Sequence, residues 1–165
     1  MFYNTEIEQI KAICESQTLW PSPSPNDWIR TTSNCMKGKI GKLLAKAYFT
    51  RHGKTIDSAI NVQHDICIDE KKMEIKLSCL NNSGMFKWLQ IRLLDDFEYL
   101  LLFGVYPDNI RAWLLNREDL EKLESKGTIK PQQGGVRNSQ SKIMWLGANA
   151  VELPDWLIGH ELTAK

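Results

Sequence analysis

Asp65 is followed nine positions later by Glu74-Ile75-Lys76. Two carboxylates and an ammonium at this spacing are the residue types needed to cut a phosphodiester. In-line attack requires a nucleophilic water, neutralisation of charge on the phosphate and positioning of both. Carboxylate oxygens of Asp65 and Glu74 on adjacent strands suit one Mg²⁺, with a backbone carbonyl and waters completing its octahedron. Lys76 stands two residues beyond Glu74 and so shares its strand face. From there it would orient the water and offset developing phosphate charge. The string recurs by chance in chains of this size, so its weight comes from the elements around it.

Residues Ile60 to Ser78 form two alternating runs around a polar turn at Asp69 to Lys72, a hairpin signature. Ile66 and Ile68 occupy one face of the first strand, and Met73, Ile75 and Leu77 that of the second. Asp65, Cys67, Glu74 and Lys76 then share the opposite face. With Glu70-Lys71 as a two-residue turn, Asp65 lies across from Lys76 and Cys67 across from Glu74. Asp69 is an alternative carboxylate on that face, disfavoured by its turn position.

The hairpin sits inside a mixed pattern. Thr5 to Glu8 reads as a capping box opening a helix over residues 6 to about 17. Trp20 to Asp27 is proline-rich and too short to divide the chain. A second helix is expected over 36–50, with Ile40, Leu43, Leu44 and Ala47 as its apolar stripe and Lys39, Lys42 and Lys46 on another face. Phe86 to Leu94 reads as a third helix. Tyr99 to Tyr106 suits a buried strand, Ile110 to Leu115 another, and Asn116 caps a helix through Glu124. A polar, glycine-rich loop from Gln132 to Gln140 leads to a short strand at Ile143 to Leu146. The order α-α-β-β-α-β-β-α with a β-containing tail predicts an α/β fold of the α+β type. One domain, 1–165, is expected, with a central mixed sheet flanked by helices.

In this context Asp65 and Glu74-Ile75-Lys76 resemble the paired motifs of the PD-(D/E)xK nuclease superfamily, in particular its restriction-endonuclease-like members. His64-Asp65 stands where that family has Pro-Asp. The resemblance implies a restriction-endonuclease-like α-β-β-α-β core over about 36–115, with Asp65, Glu74 and the carbonyl of Ile75 as metal ligands and Lys76 assisting the attacking water. Gln90, on the helix after the hairpin, looks like a glutamine that some members place beside the site, and Arg92 would then reach a phosphate. Many members carry a further glutamate on a preceding helix. The basic helix here has none, which leaves Glu6, Glu8 or Glu15 of the first helix, or a single firmly held metal. Mg²⁺ is the implied cofactor, with Mn²⁺ able to substitute.

Charge distribution supports a polyanionic partner. The net charge is only +1, but the signs are segregated. Trp28 to Ile56 contains no acid and carries Arg30, Lys37, Lys39, Lys42, Lys46, Arg51 and Lys54. Ser125 to Val151 contains no acid either and carries Lys126, Lys130, Arg137 and Lys142. Lys39, Lys42 and Lys46 are expected on phosphates. Gln132, Gln133, Arg137 and Asn138 are types that read base edges, which makes 126–157 a candidate DNA-recognition segment.

Composition closes off other classes. With 42% hydrophobic and 25% charged residues the chain is neither disordered nor low in complexity. No apolar run reaches membrane-spanning length and the first residues lack a secretory pattern, so a cytoplasmic protein without membrane contact is expected. Cys14, Cys35, Cys67 and Cys79 are scattered, as reduced hydrophobes would be. The six tryptophans are expected in the core or an interface. The reading is a Mg²⁺-dependent endodeoxyribonuclease on double-stranded DNA, a homodimeric type II restriction enzyme. The alternatives are a repair or junction-resolving nuclease, a non-catalytic DNA-binding module of the same fold, and a structural protein whose hairpin acids are merely exposed.

Overall fold

Three antiparallel strands, β1 (Ile56–Ser58), β2 (Ile66–Ile68) and β3 (Lys71–Cys79), begin the larger sheet. The computed structural model describes residues 19–21, 23–59, 63–132 and 142–162. The expected helix over 6–17, with Glu6, Glu8 and Glu15, lies outside them, as do Gln133, Arg137 and Asn138.

Asp69 and Glu70 form the hairpin turn, with φ of 47° and 66°, the left-handed pair that a two-residue type I′ turn needs. Neither is glycine, so the turn needs support. Asp69 supplies it, accepting the Thr55 N–H at 2.9 Å and pairing with Lys54 at 2.8 Å. The turn therefore falls one residue before the expected Glu70-Lys71. Ile66 faces Met73, and Cys67 faces Lys72 rather than Glu74. The correction moves each partner by two positions, so the paired residues keep their faces.

From β3 the chain enters β4 (Met85–Arg92), then β5 (Tyr99–Val105) and β6 (Ile110–Asn116). β5 lies parallel to β3 and antiparallel to β6, giving the order β1-β2-β3-β5-β6. Four helices are described: α1 (Asp27–Thr31), α2 (Asn34–Arg51), α3 (Arg117–Ser125) and α4 (Asp155–Ile158). Asn116 caps α3, as its sequence predicts, and does so through a reciprocal capping box with Asp119.

β4 is the main correction. The segment read as a helix is a strand of a second sheet, ordered β4-β8-β7 with β7 (Ile129–Pro131) and β8 (Ile143–Asn149). Two sheets thus replace the single one expected, and the mixed α/β class stands. The sheets share a core in which Phe86, Trp88, Leu100, Leu102, Trp113 and Leu146 are buried. Gly104 makes room for it: a Cβ there would lie 2.8 Å from the rings of both Phe86 and Trp113. Of the six tryptophans, Trp20, Trp88 and Trp113 are buried and Trp28 is 60% exposed.

α2 covers the opposite face of the larger sheet through Ala45 and Phe49, against Ile66, Ile75, Leu101 and Phe103. Gly41 seats the helix, its missing Cβ lying 3.2 Å from Ile75. The buried stripe is Ile40, Gly41, Ala45 and Phe49, rotated from the expected one, and Leu43 is 65% exposed. No helix among the described residues is long and apolar enough to cross a membrane.

Candidate active site

Alternation along β3 separates its two functions. Met73 and Ile75 pack beneath α2, and Glu74, Lys76 and Ser78 point to the other face. There Ser78 Oγ accepts the Lys87 N–H of β4 at 2.8 Å. Between α2, β3 and β4 lies a cleft of about 540 Å³, whose lining includes Asp65, Glu74, Lys76, Lys37, Lys87 and Gln90. The three residues singled out by type and spacing therefore meet in one concavity.

Asp65 stands just before β2, where regular pairing stops, and its side chain takes over the role of backbone. Its N–H donates to the Met73 carbonyl at 2.8 Å, and its Oδ2 accepts the Ile75 N–H at 2.8 Å. Its Oδ1 lies 2.8 Å from Lys42 Nζ of α2. Since N–H and C=O of one strand residue point the same way, the Ile75 carbonyl points to this side as well, beyond the last β2–β3 pair at Ile66–Met73.

Glu74 Oε1 lies 2.6 Å from Lys76 Nζ, with the two side chains 11% and 19% exposed. Burial pushes the Glu74 carboxyl above its ordinary range. The Lys76 ammonium opposes the rise, and the Asp65 carboxylate adds to it. A divalent cation bound here would compete with Lys42 and Lys76 for the two carboxylates, and its added positive charge would oppose the rise at Glu74. Among the described residues no group of three or more His, Cys, Asp or Glu could hold a metal. Asp65, Glu74 and the Ile75 carbonyl would offer hard oxygen donors, the type that suits Mg²⁺, an ion that keeps several waters.

The other predicted residues divide. Lys39 and Lys46 are exposed on α2, whereas Lys42 is tied to Asp65. Gln90 is on a strand, not a helix, with φ of 55° at the register shift between Trp88 and Ile91. Its N–H donates to Gln132 Oε1 at 2.8 Å, which joins the end of β7 to the cleft wall. Arg92 ends β4 at 4.0 Å from Asp95 and is not part of the cleft lining. Asp69 is held at the hairpin turn by Lys54 and Thr55, and Lys54 draws its pKa down. His64 is buried, its Nε2 lying 3.3 Å from Cys67 Sγ and its Nδ1 without a hydrogen-bond partner.

Sequence reasoning missed Lys37 and Lys87 as cleft residues. Lys37 belongs to the acid-free segment and had a signal to follow; Lys87 was hidden by the helical reading of β4. It also missed the Lys42–Asp65 pair, which joins residues from two elements with no local signature.

No protein-family model matches the sequence, and no curated protein is significantly similar to it. Among solved structures, the chain is similar to a bacterial homing endonuclease, I-Ssp6803I. The TM-score is 0.55 at 12% sequence identity, covering 79% of this chain and 88% of that one. At this identity the likeness is one of fold: the chain has a mixed α/β fold that is also the fold of a nuclease.

Proposed function

We propose that the protein is a Mg²⁺-dependent endodeoxyribonuclease that hydrolyses phosphodiester bonds in double-stranded DNA at specific sequences, in the manner of a PD-(D/E)xK restriction enzyme. The observation that carries this reading is the meeting of Asp65, Glu74 and Lys76 in one cleft, in a fold shared with an endonuclease. Asp65, Glu74 and the Ile75 carbonyl would hold the cation, which when bound supplies Lewis-acid neutralisation of charge at the scissile phosphate. Mn²⁺, with the same preference for oxygen donors, is expected to substitute.

The chain's own groups do the rest. Glu74 fixes the Lys76 ammonium at 2.6 Å, so that it hydrogen-bonds to the attacking water and holds it in line with the breaking P–O bond, the water's proton passing to bulk solvent and the departing oxygen taking one from it. As negative charge builds on the phosphate, the same ammonium offsets it in a partly water-excluded site. Asp65, clamped by the Ile75 N–H, keeps its carboxylate fixed relative to Glu74. Lys37 and Lys87 flank these groups in the cleft and take the neighbouring phosphates. A homodimer with two-fold symmetry would present two such sites to the two strands of a palindrome.

A second reading, a DNA-binding module without catalysis, is favoured by the Lys42–Asp65 ion pair and by the absence of any acid from α2. Purified protein with plasmid DNA separates the two. Cleavage with Mg²⁺ that EDTA stops supports the enzyme, and end mapping of the cut gives the length and symmetry of its site. Duplex binding without cleavage in any divalent metal supports the module.

A further inference from the structure

The three strands of the second sheet contain no aspartate or glutamate. Their inner face is core: Phe86, Trp88, Ile91, Ile129, Met144 and Leu146 are buried. Their outer face presents Lys87 and Lys130, both exposed, with Trp145 between them. Lys130 pairs directly with Trp145 across β7–β8, and Lys87 pairs with Gly147 across β4–β8. The two ammoniums lie 5.7 and 5.9 Å from the Trp145 ring centroid, within the range of cation–π attraction. Gly147 lets the indole lie along its own strand, since a Cβ there would be 2.7 Å from the Trp145 ring.

The charge on this face is uncompensated. Several lysines elsewhere, Lys54, Lys71, Lys72, Lys122 and Lys142, each meet a carboxylate, whereas Lys39 and Lys46 on α2 are, like this face, without an ion pair among the described residues. Among the described residues, Lys87 and Lys130 meet only the indole. Two cations held by a π-face retain their attraction for an anion, because the ring carries no net charge. The face is also continuous with the cleft, whose lining includes Lys87, Leu89 and Gln90 of the same strand. An extended polyanion lying on the sheet would therefore run directly to Glu74 and Lys76.

We propose that the outer face of the β4-β8-β7 sheet is the docking surface for double-stranded DNA, with Lys87 and Lys130 on phosphates and Trp145 as the plate that fixes their ammoniums. The proposal rests on the nuclease reading and names how its substrate is held. These contacts are sequence-independent: they set the register of the duplex on the protein and leave base reading to other residues.

The test is binding of a fluorescent mixed-sequence DNA duplex, followed by anisotropy across 50–200 mM salt, with Ca²⁺ in place of Mg²⁺. Each phosphate contact contributes about 0.9 to the slope of log affinity against log salt. The Lys87→Gln/Lys130→Gln variant should lower that slope by about 1.8, and the wild-type advantage should shrink about twelvefold over this fourfold salt range. Lys87→Gln alone should lose about half of the slope change, which separates loss of contacts from misfolding. A control variant, Lys54→Gln/Lys122→Gln, removes the same charge from two ion-paired lysines and should keep the wild-type slope. If the wild type binds with strong salt dependence and the Lys87/Lys130 variant keeps the same slope, the docking face is wrong and the nuclease reading stands. If the control loses as much slope as the Lys87/Lys130 variant, net charge is the cause and the docking face is again wrong. If the wild type does not bind duplex DNA, both readings fail together.

Discussion

Replacing Lys76 by alanine removes an ammonium that lies 2.6 Å from Glu74 Oε1, in a pair whose side chains are only 19% and 11% exposed. Two consequences follow from that geometry. A single positioned donor to developing charge is worth about 10²- to 10³-fold in rate, or about 2.7–4 kcal/mol of barrier. Metal-dependent cleavage by Lys76→Ala should fall by that factor, while duplex affinity changes little because the phosphate contacts lie elsewhere. The second consequence is for stability. Glu74 is already held above its ordinary value of 4.5 by burial, with Lys76 working against the rise. Without Lys76 the folded pKa climbs further. A carboxyl with a raised folded pKa binds more protons in the folded chain, so stability falls as pH rises from about that ordinary value through the folded one. Removing one partner of a buried pair costs about 3–5 kcal/mol; the partial exposure here reduces that to about 2–3 kcal/mol at pH 8, and less at pH 5. Adding Glu74→Gln to Lys76→Ala should recover most of the loss, because no buried carboxylate is then left alone. Initial nicking rates with Mg²⁺, and urea denaturation at both pH values, measure the two effects. Cleavage by Lys76→Ala within threefold of wild type, or a destabilisation independent of pH, would refute the reasoning.

Three further outcomes are expected. Lys42→Ala frees Asp65 Oδ1 from an ion pair 2.8 Å long; a partly exposed pair is worth up to about 1 kcal/mol, so calorimetric Mn²⁺ affinity should rise by up to about fivefold, and weaker binding would contradict the arrangement. Gly104→Ala would drive a Cβ to 2.8 Å from the Phe86 and Trp113 rings and should cost about 1–3 kcal/mol in urea denaturation; an unchanged midpoint would count against this packing of the two sheets. Arg111 pairs with Glu161 at 2.6 Å and holds that carboxyl below its ordinary 4.5, so the pair's stability is present above that value and is lost as pH falls through the folded pKa. Glu161→Gln should therefore cost about 1 kcal/mol at pH 7, with the gap to wild type closing in acid.

The candidate site was more legible in the sequence than the frame that holds it. Period-two alternation predicts Asp65, Glu74 and Lys76 on one face; all three line the cleft, although Asp65 stands just before β2 and reaches Lys42 of α2. The turn itself was obscure: Asp69-Glu70 carries no glycine, and its support comes from Lys54 and Thr55, which sequence spacing does not connect to it. β4 was misread for a definite reason. Its buried residues are Phe86, Trp88 and Ile91, and the irregularity at Leu89 and Gln90 stretches one interval from two residues to three. That spacing imitates a helical face. Misreading β4 hid the second sheet, and with it Lys87 and the cleft wall. The strands at Tyr99–Val105 and Ile110–Asn116 and the capped helix after them carried local signals strong enough to be read directly.

The most direct test of the central claim is incubation of the purified chain with supercoiled plasmid and mixed-sequence DNA in Mg²⁺ or in EDTA, beside Glu74→Gln. Discrete fragments are expected with Mg²⁺, none in EDTA, and none from Glu74→Gln even though that variant folds and binds duplex. Cleavage that persists in EDTA or in Glu74→Gln would contradict it, as would intact DNA in every divalent metal.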